Sequence, residues 1–350
     1  MMFMGSSTRR RQARCGLIGL AVAIAIAVAG CGAAEQESAS DSAGVVSEEV
    51  KAAVEREGPI EVIENNWSSQ LVQTRLGFRV LEEMGADVSI TPIEYLAGFP
   101  AMANSDNRVH MEVWDLTAKP QIEQYVQEEK SVIDLGPSGP IAEEGWYVPT
   151  YVIEGDPERG IEPACPDLPD WRALNKCAEV FGTAETGDKG RYLSGDGSWG
   201  KLYGDPKRIK NLKLNYEMIF AGSEAALVAE IRRAYERGDP ILALMWKPHY
   251  VTSKYDLTLI EFPEYKDGCW ETTYACGWDD ISLRKLASRD FPSAHPTTAA
   301  FLRNYSVSDE DLAEILVAVE EGATVEAAVD DWMEANPRIW QEWIPDRPAT

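Results

Sequence analysis

Apolar and polar positions alternate along the chain in two ways, and the two patterns predict strands and helices in turn. Residues 60–63 (Ile-Glu-Val-Ile) are typical of a strand, residues 70–83 repeat apolar positions at helical spacing, and residues 88–90 form a second predicted strand. The same order recurs further along, with strands predicted at 108–113, 241–245 and 257–260 and helices at 119–129 and 223–237. Such alternation favours α/β lobes.

The last part of the chain has a different pattern. Residues 308–343 are nearly all helical by the spacing of their apolar positions. Ser308 and Asp311 form a conservative capping box that begins one helix, and Thr324 opens the next.

The N-terminus combines a basic stretch with a short apolar run. Four arginines lie between Arg9 and Arg14, and residues 16–30 are uncharged. This combination is typical of a secretory signal peptide, and the run is shorter than the roughly 20 residues that a spanning helix needs. Val28-Ala29-Gly30-Cys31 resembles the lipobox of bacterial lipoproteins, so Cys31 is predicted to carry lipid and to anchor an extracytoplasmic protein to the cell membrane. An ordinary signal peptide with an incidental cysteine is the alternative.

The segment after the signal peptide is poor in groups that could form a core. Residues 32–58 are rich in Ala, Ser, Glu and Asp and contain no aromatic residue. They are predicted to be a flexible tether with one helical stretch at residues 47–57. Nearly 290 residues follow from residue 59 on, which is enough for two lobes of ordinary domain size.

The net negative charge of the chain argues against nucleic acid as a partner. The chain carries a formal charge of −25, and its first thirty residues hold four arginines and no acid, so the remainder carries −29. Nucleic acid is therefore not expected as a partner, because its phosphates would be repelled.

Four cysteines remain after Cys15 and Cys31. An even number in an exported chain suggests disulfides, and close spacing favours the two pairs Cys165–Cys177 and Cys269–Cys276, although sequence alone allows three connectivities. A zinc site is the competing interpretation. Neither pair has the spacing of a zinc knuckle and no histidine lies nearby, so no metal is predicted.

Sequence motifs typical of enzymes are absent from this chain or match it only weakly. No Gly-x-Ser-x-Gly elbow is present, and the three histidines lack the spacing of metal ligands. Residues 195–201 match the dinucleotide fingerprint and most of a phosphate-binding loop, but a polar stretch precedes the glycines and Leu202 stands where magnesium would need Ser or Thr. The glycines are interpreted as a turn, and neither an enzyme nor a cofactor is expected.

Tryptophans are the strongest lead to function. The chain has eleven, and several lie in loop-like settings. Trp67, Trp114 and Trp246 fall at the carboxyl ends of predicted strands, and Trp199 lies in the glycine turn. Ligands of open α/β sheets bind at that edge, and indole faces attract a cation that cannot donate hydrogen bonds. Each ring could serve equally well to pack the lobes.

Several motifs in order resemble one family, the substrate-binding proteins of glycine betaine, proline betaine and choline ABC transporters. The resemblance covers about residues 59–343. It is carried by Ala103-Asn104-Ser105-Asp106 leading to Trp114, by Trp146 to Val152 with its Val-Pro-x-Tyr motif, by Gly222 to Leu227, and by Trp246-Lys247-Pro248-His249 followed by Tyr255-Asp256-Leu257.

The resemblance implies a two-lobed, type II-like periplasmic-binding-protein clamp with the ligand between the lobes. It implies lobe I at residues 59–148 and 279–350 and lobe II at residues 149–278, after the signal peptide (1–30) and the lipidated tether (31–58). Trp114, Trp199 and Trp246 would form the aromatic cage, with Trp67 as a fourth wall. The other expected ligand-binding residues are Ser68, Tyr147, Gly200 and His249.

The function that the resemblance implies is capture of a quaternary-ammonium solute, such as glycine betaine, for an ABC permease and its ATPase. Choline-preferring members carry an acid two positions after the first cage tryptophan, where this chain has Ser69, which favours a zwitterion. A choline- or carnitine-binding protein and a sensory lipoprotein with the same clamp remain alternatives. The segments 165–188 and 267–280 depart from the family pattern and carry no predicted function.

Overall fold

The computed structural model describes residues 46–349, so the predicted signal peptide and Cys31 lie outside the described residues. Nine strands alternate with helices in this part of the chain. The strands are β1 (Ile60–Glu64), β2 (Val88–Pro92), β3 (Arg108–Trp114), β4 (Val132–Pro149), β5 (Gly190–Ser194), β6 (Tyr216–Phe220), β7 (Ala243–Lys247), β8 (Leu257–Leu259) and β9 (Ile281–Ser288).

The α-helices lie between and after these strands. They are α1 (Glu48–Glu57), α2 (Ser68–Glu83), α3 (Gly98–Ala103), α4 (Lys119–Gln121), α5 (Tyr151–Glu154), α6 (Asp205–Asn211), α7 (Glu224–Arg237), α8 (Tyr250–Lys254), α9 (Phe291–Ala294), α10 (Pro296–Asn304), α11 (Asp309–Glu320), α12 (Val325–Ala335) and α13 (Pro337–Gln341). A π-helix, Ile122–Glu128, continues α4, and 3₁₀ helices occur at Tyr95–Ala97, Trp171–Cys177 and Gly197–Lys201.

The strands are ordered β2-β1-β3-β9-β4-β7-β5-β6, with β8 added beside β4. At one end β1 pairs in parallel with β2 and β3, and at the other end β5 pairs in parallel with β6 and β7. Antiparallel pairs with β9 and β4 join the two parallel groups. The fold is α/β, as the alternating pattern predicted, and it is the two-lobed clamp that the resemblance implied.

Strand β4 serves both groups. Its residues 132–142 pair with β9, and its residues 143–149 pair with β7 and β8. The pairing partner thus changes between Ala142 and Glu143, before the lobe boundary predicted at residues 148–149. That boundary and the other lobe limits stay predictions.

The predicted tether is packed from residue 46 onward. Helix α1 begins after Ser47, whose side chain accepts the N–H of Val50, and it buries Val50 and Val54. The carboxylate of Glu57 accepts hydrogen bonds from the backbone N–H groups of Thr297 and Thr298. The prediction of an unpacked segment is therefore wrong for this stretch, because two valines at helical spacing were enough to dock it.

Helix ends agree closely with the capping signals. Ser308 accepts the N–H of Asp311 and begins α11, and Thr324 accepts the N–H of Ala327 and begins α12. Both predicted disulfides, Cys165–Cys177 and Cys269–Cys276, are present. Among residues 46–349, no helix is long and apolar enough to cross a membrane.

Candidate functional site

Four tryptophans from separate parts of the chain line one small cavity. They are Trp67, Trp114, Trp199 and Trp246, and each is between 3% and 7% exposed. The remaining lining residues are Tyr95, Thr117, Leu202 and Tyr203. The cavity wall is thus mostly aromatic.

The parallel strands bring the four rings together. Trp67 follows β1, Trp114 ends β3, Trp199 follows β5 and Trp246 lies near the end of β7. Carboxyl ends of neighbouring parallel strands meet at one edge of a sheet, where α/β proteins bind ligands. The sequence placed three of the four at strand ends and missed β5. The stretch before the glycines is therefore a strand, contrary to the expectation used against a nucleotide site.

The glycine turn makes room for an indole rather than for a phosphate. A Cβ on Gly195 would lie 2.3 Å from the ring of Trp199, so only glycine leaves space for the ring there. Trp199 in turn meets the ring of Trp246 edge-on, with centroids 5.5 Å apart. The turn therefore positions one wall of the cavity.

A buried carboxylate holds two of the rings. Oε1 of Glu112 accepts the indole N–H groups of Trp67 at 2.7 Å and Trp114 at 2.8 Å. It also accepts the hydroxyl of Ser69 at 2.8 Å, and Oε2 accepts the amide of Gln73. Burial raises the pKa of Glu112 above its ordinary value, and these four donors counter only part of that rise. Since all four groups donate, they match the ionised carboxylate.

A second buried acid lies beside the cavity. Glu144 stands opposite Trp246 in the antiparallel β4–β7 ladder, which places the two side chains on the same face of the sheet. It bonds with the hydroxyl of Tyr203, a lining residue, and accepts the indole N–H of Trp278 at 2.9 Å. Burial raises the pKa of Glu144 to about 8, so at pH 7 this carboxyl group is mostly protonated and can donate a hydrogen bond.

A third acid, Glu224, lies at the start of α7. Its carboxylate accepts the backbone N–H of Ser68 at 2.8 Å and the Ser68 hydroxyl at 2.6 Å. His249 Nε2 lies 2.8 Å from the same carboxylate, and its ring centroid is 4.9 Å from that of Trp246. Ser68 and His249, both expected to bind ligand, are thus engaged by an acid of the protein.

Four of the expected ligand-binding residues do not line the cavity: Ser68 and His249, which adjoin it, and Tyr147 and Gly200. Tyr147 lies in β4, which carries it away from the four rings. Its hydroxyl donates a hydrogen bond to Glu143 instead. Gly200 packs against the ring of Phe220, where an added Cβ would come within 2.6 Å. Within residues 46–349, no group of three or more His, Cys, Asp or Glu side chains could hold a metal ion.

Comparisons with known proteins agree with this geometry. Residues 58–335 match the family described as the substrate-binding domain of ABC-type glycine betaine transport systems. The chain belongs to this family. The family consists of transport proteins that bind substrate, not of enzymes, and the chain is a substrate-binding protein of an ABC transporter for betaine- and choline-type solutes.

Individual relatives cover most of the chain. The trimethylamine N-oxide-binding protein of Pelagibacter ubique (strain HTCC1062) is 31% identical over 301 residues, which is 83% of this chain and 92% of that protein. Lactococcal OpuAC, solved with glycine betaine, has a TM-score of 0.64 at 18% identity and covers 82% of this chain and all of its own. A choline-binding protein solved with choline also has a TM-score of 0.64, at 18% identity, over 84% of this chain and 94% of its own.

Substitutions at two glycines of the same turn test whether the turn positions the ring of Trp199. We expect Gly195→Ala to weaken binding of the solute about tenfold or more, because the new methyl group must push the Trp199 ring out of place. Gly197→Ala is the matched control, since a Cβ there meets nothing within 4 Å. Titration calorimetry on both variants checks this, and equal affinities would show that the turn does not position the ring.

Proposed function

We propose that this protein captures trimethylamine N-oxide and delivers it to an ABC permease and its ATPase. The observation that carries the proposal is a cavity walled by four tryptophans with a buried carboxyl group, Glu144, beside it. The Pelagibacter relative, named for binding this solute, supports it.

The cavity wall suits the methylated end of such a solute. Its nitrogen carries a formal positive charge and three methyl groups, and it offers no hydrogen-bond donor. Indole faces attract the charge and contact the methyl groups, each contributing about 0.5–2 kcal/mol where the cation is desolvated. Three or four such walls support micromolar binding after the ordering costs of association.

The other end of an N-oxide is a single oxygen that only accepts hydrogen bonds. Glu144 does not itself line the cavity, but it bonds with the hydroxyl of Tyr203, which does, and its proton gives this pair one donor for the oxygen. The indole N–H of Trp246 is buried and has no partner among the described residues, so a second donor is free at the same wall. These neutral donors fit an oxygen with partial charge better than they fit a full carboxylate.

A solute panel tests the proposal. We expect trimethylamine N-oxide to bind with micromolar affinity, at least about tenfold more tightly than glycine betaine, choline or carnitine. Solute at about 100 times its dissociation constant should add about 2.7 kcal/mol to the free energy of unfolding. Calorimetry and thermal melting measure both quantities.

The same panel includes a pair of matched variants. Trp199→Phe should lose about 1 kcal/mol of binding free energy because a phenyl ring attracts a cation less than an indole does. Trp340→Phe, in α13, should leave affinity unchanged. If wild-type protein does not respond to trimethylamine N-oxide at millimolar concentration, the proposed solute is wrong.

The proton on Glu144 makes binding depend on pH. Because the pKa of Glu144 is about 8, affinity for the N-oxide should be constant from pH 6 to 7.5 and then fall about tenfold per pH unit above 8. Choline, which has no anionic oxygen, should not weaken, since an ionised Glu144 attracts its cation. Calorimetry across this pH range gives both profiles.

Two variants isolate this effect. Glu144→Gln keeps an N–H donor at every pH, so its N-oxide profile should be flat above pH 8. Glu143→Gln removes the neighbouring acid, which pairs with Lys247 Nζ at 2.8 Å, and should retain the wild-type profile. A Glu144→Gln profile that falls like that of wild type would assign the pH dependence to another group.

We also propose that Cys31 becomes the lipidated N-terminus and anchors the protein outside the cytoplasm. The small residues before Cys31 and the apolar run that ends there support this, and ABC substrate-binding domains act on the extracytoplasmic side. Mass spectrometry of the membrane fraction should find an acylated peptide that begins at Cys31. An unacylated product that begins elsewhere would contradict the anchor.

A further inference from the structure

An anion position adjoins the tryptophan cavity, and a side chain of the protein fills it. The carboxylate of Glu224 receives two hydrogen bonds from Ser68, from its backbone N–H and its hydroxyl, and lies 2.8 Å from His249 Nε2. Its side chain is only 12% exposed, and that of His249 is fully buried. Three groups therefore converge on one carboxylate with little access for water.

This position is favourable for any anion. Ser68 is the first residue of the sixteen-residue helix α2, where backbone N–H groups have no partner within the helix and the helix dipole favours negative charge. The bound carboxylate of Glu224 is direct evidence that an anion is held there. No ion from solution is needed at this position, because Glu224 of α7 supplies the negative charge.

The position also touches two walls of the cavity. Ser68 directly follows Trp67, and the ring of His249 packs edge-on against that of Trp246. A solute whose cationic end lies among the tryptophans and whose other end is a carboxylate would direct that carboxylate toward these same donors. Two carboxylates cannot share them, because the donors are already used and like charges repel.

We propose that Glu224 is a specificity-determining residue that occupies the carboxylate position of a betaine from within the protein. It excludes glycine betaine and leaves the cavity to solutes whose negative end is one oxygen. Glu224 also links α7 to α2, since Glu224 and Ser68 lie 156 residues apart in the chain. The inference rests on the proposed function, but its test measures only the affinity for glycine betaine.

The deciding variant is Glu224→Ala, titrated with glycine betaine by calorimetry. Removing the carboxylate frees Ser68 and His249, so glycine betaine should bind about tenfold or more tightly than to wild type. The matched control is Glu320→Ala, which removes another acid paired with α7, through Arg232 at 3.0 Å. Its affinity for glycine betaine should equal that of wild type.

A second variant separates occupancy from charge. Glu224→Gln keeps the size of the side chain and an acceptor oxygen, so the position stays filled and glycine betaine should gain less than about threefold. Equal gains in the Gln and Ala variants would overturn occupancy as the cause. Melting curves without solute confirm folding, and if Glu224→Ala does not fold, Glu224→Ser is judged by the same criterion.

Two results would overturn the inference. One is an unchanged or weaker affinity of a folded Glu224→Ala variant for glycine betaine. The other is a wild-type protein that already binds glycine betaine as tightly as is expected for the Glu224→Ala variant. Failure of trimethylamine N-oxide to bind wild type would reject the proposed solute only, because neither result for Glu224 depends on that solute.

Discussion

The cavity depends on one buried carboxylate, Glu112. An ionised carboxylate without partners costs several kcal/mol to bury, and here four donors offset that cost. Two of them are the indoles of Trp67 and Trp114, so satisfying the charge also fixes the rotation of both rings. The other two, Ser69 and Gln73, belong to α2, which ties the helix to β3. Packing alone would hold the rings against neighbours without setting where their edges point.

Three acids around the cavity do different work because their surroundings differ. Four donors surround Glu112 and match its charged form, whereas burial raises the pKa of Glu144 to about 8 against the effect of its two donors, Tyr203 and Trp278, so Glu144 keeps its proton at pH 7. Glu224 is held by a helix N-terminus and His249. The net charge of the chain predicts none of this, because a formal count treats every carboxyl group as ionised.

Local spacing and residue type predicted the α/β alternation, both disulfides and the four candidate tryptophans, whereas the family and the two-lobed clamp were implied by the resemblance of whole motifs. Sequence reasoning missed the acids. Glu112 left a signal, because it lies two positions before Trp114 in an apolar strand and so shares its face. Glu144 left none, since only the β4–β7 register places it opposite Trp246. Glu224 looked like an ordinary first-turn acid of α7.

Selectivity in such a site has to come from these polar groups rather than from the rings. Methylated cations present nearly the same surface to an aromatic wall, so tryptophans alone bind choline, betaines and N-oxides alike. The solutes differ at the other end, which is a hydroxyl, a carboxylate or one oxygen. A site discriminates strongly only where a mismatched solute would leave a buried group unpaired or bring like charges together. Glu144 and Glu224 impose these two penalties on different solutes. A solute without an acceptor oxygen leaves the buried proton of Glu144 unpaired, and a betaine would bring its carboxylate against that of Glu224.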